Sequence, residues 1–329
     1  MASQPHPRAR SLFMPIILIG VGVIWLLVNF GVIPAFSVGR LLRLWPLFLI
    51  AAGLELLVGR GRAWASAVIG LLTVGAAVVL LIYGQQLGLA QTSVLKTEAF
   101  SAPLDEATSA HVTLDLAQYD TNVSATTDAT RLVEADLTYT GQAVFAVSGG
   151  AQKTVRVGVT DDFSDPFAFL DDFDAQWQIG LSPAVPLDLT INGGSGSADF
   201  QLQELDLDAL TLDAGSGQID LALPAGAGYE ATVIGGSGGL DIAVLAGTQA
   251  TLHFDGGSGG LTIDVPDGLA VRVEIQDSGS GGVRLPSGWE TVRDGDNDEG
   301  VWQTPGFDAA SVQFIVIITD VGSGSVTVR

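Results

Sequence analysis

A Gly-Ser-Gly triplet recurs through the second half of the chain, its serines being Ser195, Ser216, Ser237, Ser258, Ser280 and Ser323. The intervals are 21, 21, 21, 22 and 43 residues, the last about two periods. A fixed period near 20 marks a chain that builds one supersecondary unit and stacks copies of it. After the triplets, apolar residues alternate with polar or small ones: Ala198, Phe200, Leu202, then Ile219, Leu221, Leu223, then Leu240, Ile242, Val244. Before them runs a second alternation, at Leu187, Leu189, Ile191, then Leu210, Leu212, then Tyr229, Ala231, Val233. Period two is the pattern of a strand with one buried face. Each repeat therefore reads strand, Gly-Ser-Gly corner, strand and looser return. The chain is predicted to be all-β here, a single-stranded β-solenoid with a 21-residue repeat. No coil buries its apolar face alone; stacking makes the core continuous.

The glycines follow from that stacking. Neighbouring strands lie about 4.8 Å apart, and a sharp corner repeated at that spacing wants positive φ and no bulky side chain. Gly217 and Gly238 are accordingly expected at positive φ. Ile275 and Ile318 sit one place further from their triplets than Phe254 does, which predicts a bulge. The regular repeats occupy 185–329. From 97 to 184 the triplets vanish, while "HVTLDLAQY", "RLVEADLTY", "AVFAVSGG" and "TVRVGVT" keep the alternation, as degenerate first coils. The acidic-aromatic stretch "DDFSDPFAFLDDFD", Asp161–Asp174, interrupts them. It reads as a cap over the solenoid or as a partner-binding loop.

Charge divides the chain into two materials. Residues 1–96 hold seven Lys or Arg and one acid, Glu55, a net of about +6; residues 97–329 hold seven Lys or Arg and 35 acids, about −28. So acidic a surface repels nucleic acid and argues against it as a partner. The chain has no cysteine, which excludes disulfides and thiolate metal sites.

Residues 1–90 read as a helical membrane domain with about three transmembrane helices. No charge falls between Ser11 and Gly39, and "LFMPIILIGVGVIWLLVNFGVIP" exceeds the roughly 20 apolar residues of a span. Two further runs follow, "LLRLWPLFLIAAGLELLVG" at 41–59 and "AWASAVIGLLTVGAAVVLLIY" at 63–83. Arg43 and Glu55 lie near the ends of the second run, where a charge can snorkel to the interface; Glu55 is also a candidate intramembrane site. No small-residue cleavage site follows "HPRAR", so the first run is not read as a signal peptide. With three spans and the N-terminus inside, Arg8, Arg10, Arg60 and Arg62 are cytoplasmic. Arg40 and Arg43 fall on the opposite side in that scheme. The acidic C-terminal domain is then extracytoplasmic.

The wording of the first two apolar runs resembles the transmembrane region shared by LiaI- and LiaF-like bacterial envelope-stress proteins. "ILIGVGVIWLLVNFGVI", a short loop and "LWPLFLIAAGLELL" follow that family's pattern at Asn29, Gly31, Trp45, Pro46, Leu49, Ile50 and Gly53. Glu55 departs from it. The repeats resemble the β-solenoid ectodomains of the toast-rack and LiaF C-terminal kind and related adhesin-like heads.

Several motifs invite a chemical reading. "GGSGG" at Gly235–Gly239, and again at Gly256–Gly260, fits the G-x-S-x-G nucleophile elbow, which needs strand, turn and helix with a supporting acid and histidine. A strand follows instead, the motif recurs, and the only histidines are His6, His111 and His253. The calcium-binding nonapeptide wants Asp two places after its third glycine, where this chain has Ala198, Leu240 and Leu261. Asp199, Asp220 and Asp241 occupy one place in three successive repeats. Stacked like charges repel, so this row is either a solvated acidic face or a weak divalent-cation site. "DGDNDEG", Asp294–Gly300, has acids at EF-hand positions one, three and five, but lacks glycine at six and has Pro305 in place of the bidentate glutamate. It reads as the tip of an insertion within the 43-residue interval. No catalytic, cofactor or metal residue is assigned.

The leading reading is a non-enzymatic, membrane-anchored bacterial envelope protein. The resemblance implies that it modulates an envelope-stress signalling system through protein contacts, with a sensor kinase as a possible partner. A surface adhesin or scaffold is the alternative, and a carbohydrate-active β-helix enzyme, which needs convergent carboxylates in a cleft, the third. Three spans place residues 97–329 outside the cytoplasm. A membrane-impermeant protease applied to intact protoplasts is expected to remove them, and full protection would overturn this topology.

Overall fold

Residues 12–30, 45–59, 63–83, 95–160, 175–295 and 299–329 are described by the computed structural model. They fall into an N-terminal helical part and a β-rich part that begins at Leu95. The helical part holds α1 (Phe13–Asn29), α2 (Trp45–Leu54) and α3 (Ala63–Tyr83), and α2 continues into a π-helical turn, Glu55–Gly59. α1 and α3 approach through small residues, Gly20 against Val74 and Gly70 against Ile16. Such residues let backbones close together where water supplies no driving force. Met14, Leu18, Trp25, Leu57 and Leu71 are exposed, a surface that calls for an apolar covering.

Each of the three expected spans contains one of these helices. Among the described residues, however, no helix is long and apolar enough to cross a membrane. α1 has 17 residues and α2 has ten, short of the roughly 20 that a span requires. The side chains described in α3 run only from Trp64 to Leu80. Arg8, Arg10, Arg40, Arg43, Arg60 and Arg62, which carry the expected orientation, lie outside the described residues, as does Asp161–Asp174.

The described residues of the β-rich part form 21 strands. The first seven are β1 (Lys96–Pro103), β2 (Ser109–Asp115), β3 (Asp120–Ala125), β4 (Arg131–Tyr139), β5 (Gln142–Gly149), β6 (Gln152–Thr160) and β7 (Gln176–Leu181). Next come β8 (Leu187–Asn192), β9 (Ala198–Gln201), β10 (Leu207–Asp213), β11 (Ile219–Ala222), β12 (Gly226–Ile234), β13 (Leu240–Ala243), β14 (Thr248–Asp255) and β15 (Gly260–Asp264). The last six are β16 (Ala270–Ile275), β17 (Gly282–Arg284), β18 (Glu290–Asp294), β19 (Gly300–Gln303), β20 (Gln313–Asp320) and β21 (Ser325–Val328). The only helix described in this part is a 3₁₀ turn, Phe307–Ala309.

Two mixed sheets result. From β8 to β17 the chain alternates between them, even-numbered strands in one and odd-numbered strands in the other. Successive strands of a sheet pair in parallel with an offset of one period: Leu212 faces Val233, which faces Phe254, and Ile219 faces Leu240, which faces Leu261. The alternation thus puts like positions in line, and the apolar rows fill the space between the sheets. Phe200, Leu212, Val233, Ile242, Leu252 and Ile263 have 0% exposure. Each such side chain contributes roughly 1.5–3 kcal/mol by burial.

The corners need glycine for a different reason from the expected one. Gly217 and Gly238 do not have positive φ; Gly215, Gly279 and Gly322 do, at 62°, 57° and 72°. In those three corners an aspartate two residues earlier (Asp213, Asp277 or Asp320) accepts the glycine N–H, an Asx turn that selects the left-handed conformation. At Gly217 and Gly238 the constraint is close approach. A Cβ on Gly217 would land on the carbonyl of Gly196, and one on Gly238 on that of Gly217, far inside the 3.0 Å that real Cβ atoms keep. Between the glycines, the serine N–H donates to the neighbouring corner: Ser216 to Gly194 at 2.8 Å, Ser237 to Gly215 at 2.9 Å and Ser258 to Gly236 at 3.0 Å.

Chain order is not spatial order at either end. β20 lies between β14 and β16, and β21 between β15 and β17, so the last repeat is inserted between the two before it. β2 and β3 are likewise held between β6–β7 and β8–β9. The 43-residue interval therefore runs from β17 to β20 and is lengthened by an antiparallel hairpin, β18–β19, that closes on β16. "DGDNDEG" spans the β18–β19 connection; its residues 296–298 lie outside the described ones. Of the region expected as degenerate coils, β2–β3 and β6–β7 pair in parallel, whereas β1, β4 and β5 are antiparallel. A bulge is present in β20, where Phe254 faces Ile318 but Asp255 faces Asp320.

Gly238→Val is expected to destabilise the β-rich part by at least about 1–3 kcal/mol through overpacking against backbone. Ser237→Ala removes no backbone bond and should cost within about 1 kcal/mol. Thermal melts of the two variants check this. Equal melting temperatures would show that the corner is not close-packed.

Candidate functional site

The in-register pairing sets Asp199, Asp220 and Asp241 side by side on one sheet face, flanked by Asn122 and Thr262. Glutamine amides relieve the repulsion. Gln201 Nε2 donates to Asp199 Oδ1 at 2.6 Å and Gln218 Nε2 to Asp241 Oδ2 at 3.1 Å. Gln203 Nε2 in turn donates to Gln201 Oε1 at 2.8 Å. Beside this chain lies an open hollow of about 500 Å³ lined by Ser124, Ala125, Gln201, Gln203 and Glu204. Its lining offers amide, hydroxyl and carboxylate groups, suited to hydrogen-bonding a polar ligand or another protein's surface. Among the described residues no group of three His, Cys, Asp or Glu is placed to hold a metal ion.

The serines of the two "GGSGG" motifs stand at corners, and among the described residues no histidine is bonded to either. His253 lies within β14, opposite Thr232 and Ile317, and His6 is outside the described residues. His111 makes a contact the sequence did not suggest. Its Nδ1 is 3.0 Å from Asp188 Oδ2, and Thr113 Oγ1 is 3.3 Å from its Nε2. Hydroxyl, imidazole and carboxylate are thus in the order of a catalytic triad. They lie on an open sheet face, however, and β2 is laddered to β6 on one side and β8 on the other. The strand N–H groups are committed to those ladders, which leaves no oxyanion donors there. Asp188 comes 77 residues after His111, so only the inserted position of β2 brings them together.

Glu55 begins the π turn, and Ser66 Oγ of α3 donates to its Oε1 at 2.7 Å. Two further ion pairs tie down the ends of the β-rich part. Lys153, only 7% exposed, donates to Pro103 O at 2.6 Å and Asp105 Oδ2 at 2.7 Å, holding Asp105 at φ 46°. The guanidinium of Arg329, the last residue, binds Asp264. Those hydrogen bonds, more than the charge of Arg329, hold the Asp264 carboxyl below the usual carboxylate range; burial opposes them.

A helical N-terminal region followed by a β-rich domain of two mixed sheets defines the class. Residues 12–57 match the LiaI-LiaF-like transmembrane region, and residues 91–243 match the N-terminal domain of toast_rack, DUF2154. The chain therefore carries a LiaI-LiaF-like membrane region joined to a toast-rack domain. Among curated proteins none matches it. A protein from Clostridium sporogenes, provisionally described as a cell adhesion protein, is similar in structure at 16% identity and a TM-score of 0.46, covering 71% of this chain and 99% of its own. A provisionally described adhesin from Bacteroides fragilis is similar at 12% identity and a TM-score of 0.32, covering 72% of this chain and 98% of its own.

The Asp264–Arg329 pair sets a pH dependence. A carboxyl whose folded pKa is depressed adds stability above its unfolded pKa and loses that stability as pH falls through the folded value. The pair is largely solvated, so Asp264→Asn should cost less than about 1 kcal/mol at neutral pH. In urea melts that difference should shrink as pH falls below about 4; a difference that persists unchanged would show that the ion pair is not its source.

Proposed function

We propose that this protein is a non-enzymatic, membrane-anchored component of a bacterial envelope whose acidic head, a single-stranded β-solenoid, acts by binding another protein. The observation that carries this reading is the order of the two matched regions on one chain, a LiaI-LiaF-like membrane region and then a toast-rack domain. The anchor keeps the head at the membrane, and the head lies on the extracytoplasmic side. Its function is to modulate an envelope-stress signalling system, with a membrane sensor kinase as the protein bound. The acidic row and the polar hollow beside it supply contacts of the kind a polar, solvated interface uses. The lack of oxyanion donors around the His111 chain supports a binding role rather than hydrolysis.

Cross-linking the full-length protein in its own membrane, followed by mass spectrometry of the adducts, tests this. A sensor kinase is expected among the adducts, and its capture should fail when residues 1–94 are replaced by an unrelated anchor. If the head cross-links only to wall polymer, whatever its anchor, the protein is an adhesin and the signalling role falls.

A further inference from the structure

Among the described residues, four strands end the two sheets: β1 and β17 in one, β5 and β18 in the other. A sheet edge presents unpaired N–H and C=O groups, which folded proteins blunt with charge, proline, bulges or short length. β1 carries Lys96, Glu98 and Pro103 and has a register shift at its end. β18 carries Glu290, Arg293 and Asp294 and is bulged between Thr291 and Arg293. β17 has three residues, one of them Arg284. β5, "QAVFAVSG", has none of these devices. Its eight residues include no charge and no proline, and they pair with β6 from Gln142 to Gly149 without a register shift. Ala146 and Val147 are exposed, and Phe145 stacks on Phe100 at 5.3 Å to close the end of the core.

We propose that the free edge of β5 pairs, antiparallel, with β5 of a second copy of this chain. Backbone groups in a row call for another strand, and β5 is self-complementary as one. A twofold axis at Phe145 keeps each side chain on its own face of the joined sheet. It sets Ala143 opposite Val147 of the second copy, Val144 opposite Ala146, and Gln142 opposite Ser148, so apolar meets apolar and polar meets polar. The charge-free strand is also where two domains of about −28 each meet with least repulsion. The pairing joins the two domains end to end at the end that holds β1.

The test is the mass of the purified full-length protein in detergent, by light scattering across a concentration series. A dimer is expected, and more salt should tighten it by screening the two acidic domains. Ala146→Glu sets a carboxylate beside Arg156, which lies opposite it in β6 and pairs with Asp115, within one copy, but beside no cation across the pair. It should weaken the dimer at least tenfold without lowering the melting temperature, and Val144→Lys should do the same. Val292→Lys, on the exposed face of β18 at the other end, should leave the dimer intact. A wild-type protein that stays monomeric at every concentration, or a dimer that survives both β5 variants, overturns the proposal. So does weakening of the dimer by salt, which would mark an interface held by opposite charges.

Discussion

At each Gly-Ser-Gly corner, a carbonyl oxygen of one repeat sits where a side chain of the next would have to begin. The strands on either side of the corner are held in parallel register by ladders, and the corner must repeat at the same spacing or the ladders cannot continue. Glycine meets that demand by having no Cβ. The serine N–H completes the contact by donating to the neighbouring corner, so the corners form a ladder of their own between the two sheets. Apolar rows of Leu, Ile, Val and Phe fill the interior because the register brings like positions together. The packing of the core is thus a consequence of the corner spacing.

A stack of this kind is vulnerable at its ends, where apolar side chains lose their neighbours on one side. This chain puts its first and last repeats inside the stack and closes the ends with excursions from within the sequence. β21, the last strand, is paired on both sides, and Arg329 is held by Asp264. Antiparallel strands finish the ends instead: β1, β4 and β5 at one, β18 and β19 at the other. Phe100 with Phe145, and Arg272 with Phe307 at 4.2 Å, plug the openings that remain.

The outer faces carry polar side chains that hydrogen-bond one another. Carboxylates stand in line, two of them hydrogen-bonded by glutamine amides, and the His111 hydroxyl–imidazole–carboxylate chain lies on a laddered sheet face. Reactive groups in such a setting have neither a cleft to exclude water nor donors to stabilise a developing charge.

The sequence by itself determined the period, the alternation of strand and corner, the inward residues of each strand and the position of the three helices. These are local properties: side-chain direction alternates along a strand whatever the strand pairs with, and Gly-Ser-Gly at a fixed interval demands a corner. The aspartate row was legible for the same reason, since equal places in successive repeats become neighbours once the repeats stack. The φ of the corner glycines was misread, because close approach to the neighbouring repeat, and not the turn itself, is what excludes a side chain at Gly217 and Gly238. Only the tertiary structure decided the order of the repeats. Parallel pairing of β20 with β14 looks the same, in the alternation of either strand, as pairing of β16 with β14 would, so no pattern within a strand distinguishes them. The His111–Asp188 contact and the bare edge of β5 both depend on that order, because which residues meet, and which backbone is left unpaired, is set by the neighbour a strand finds across the sheet.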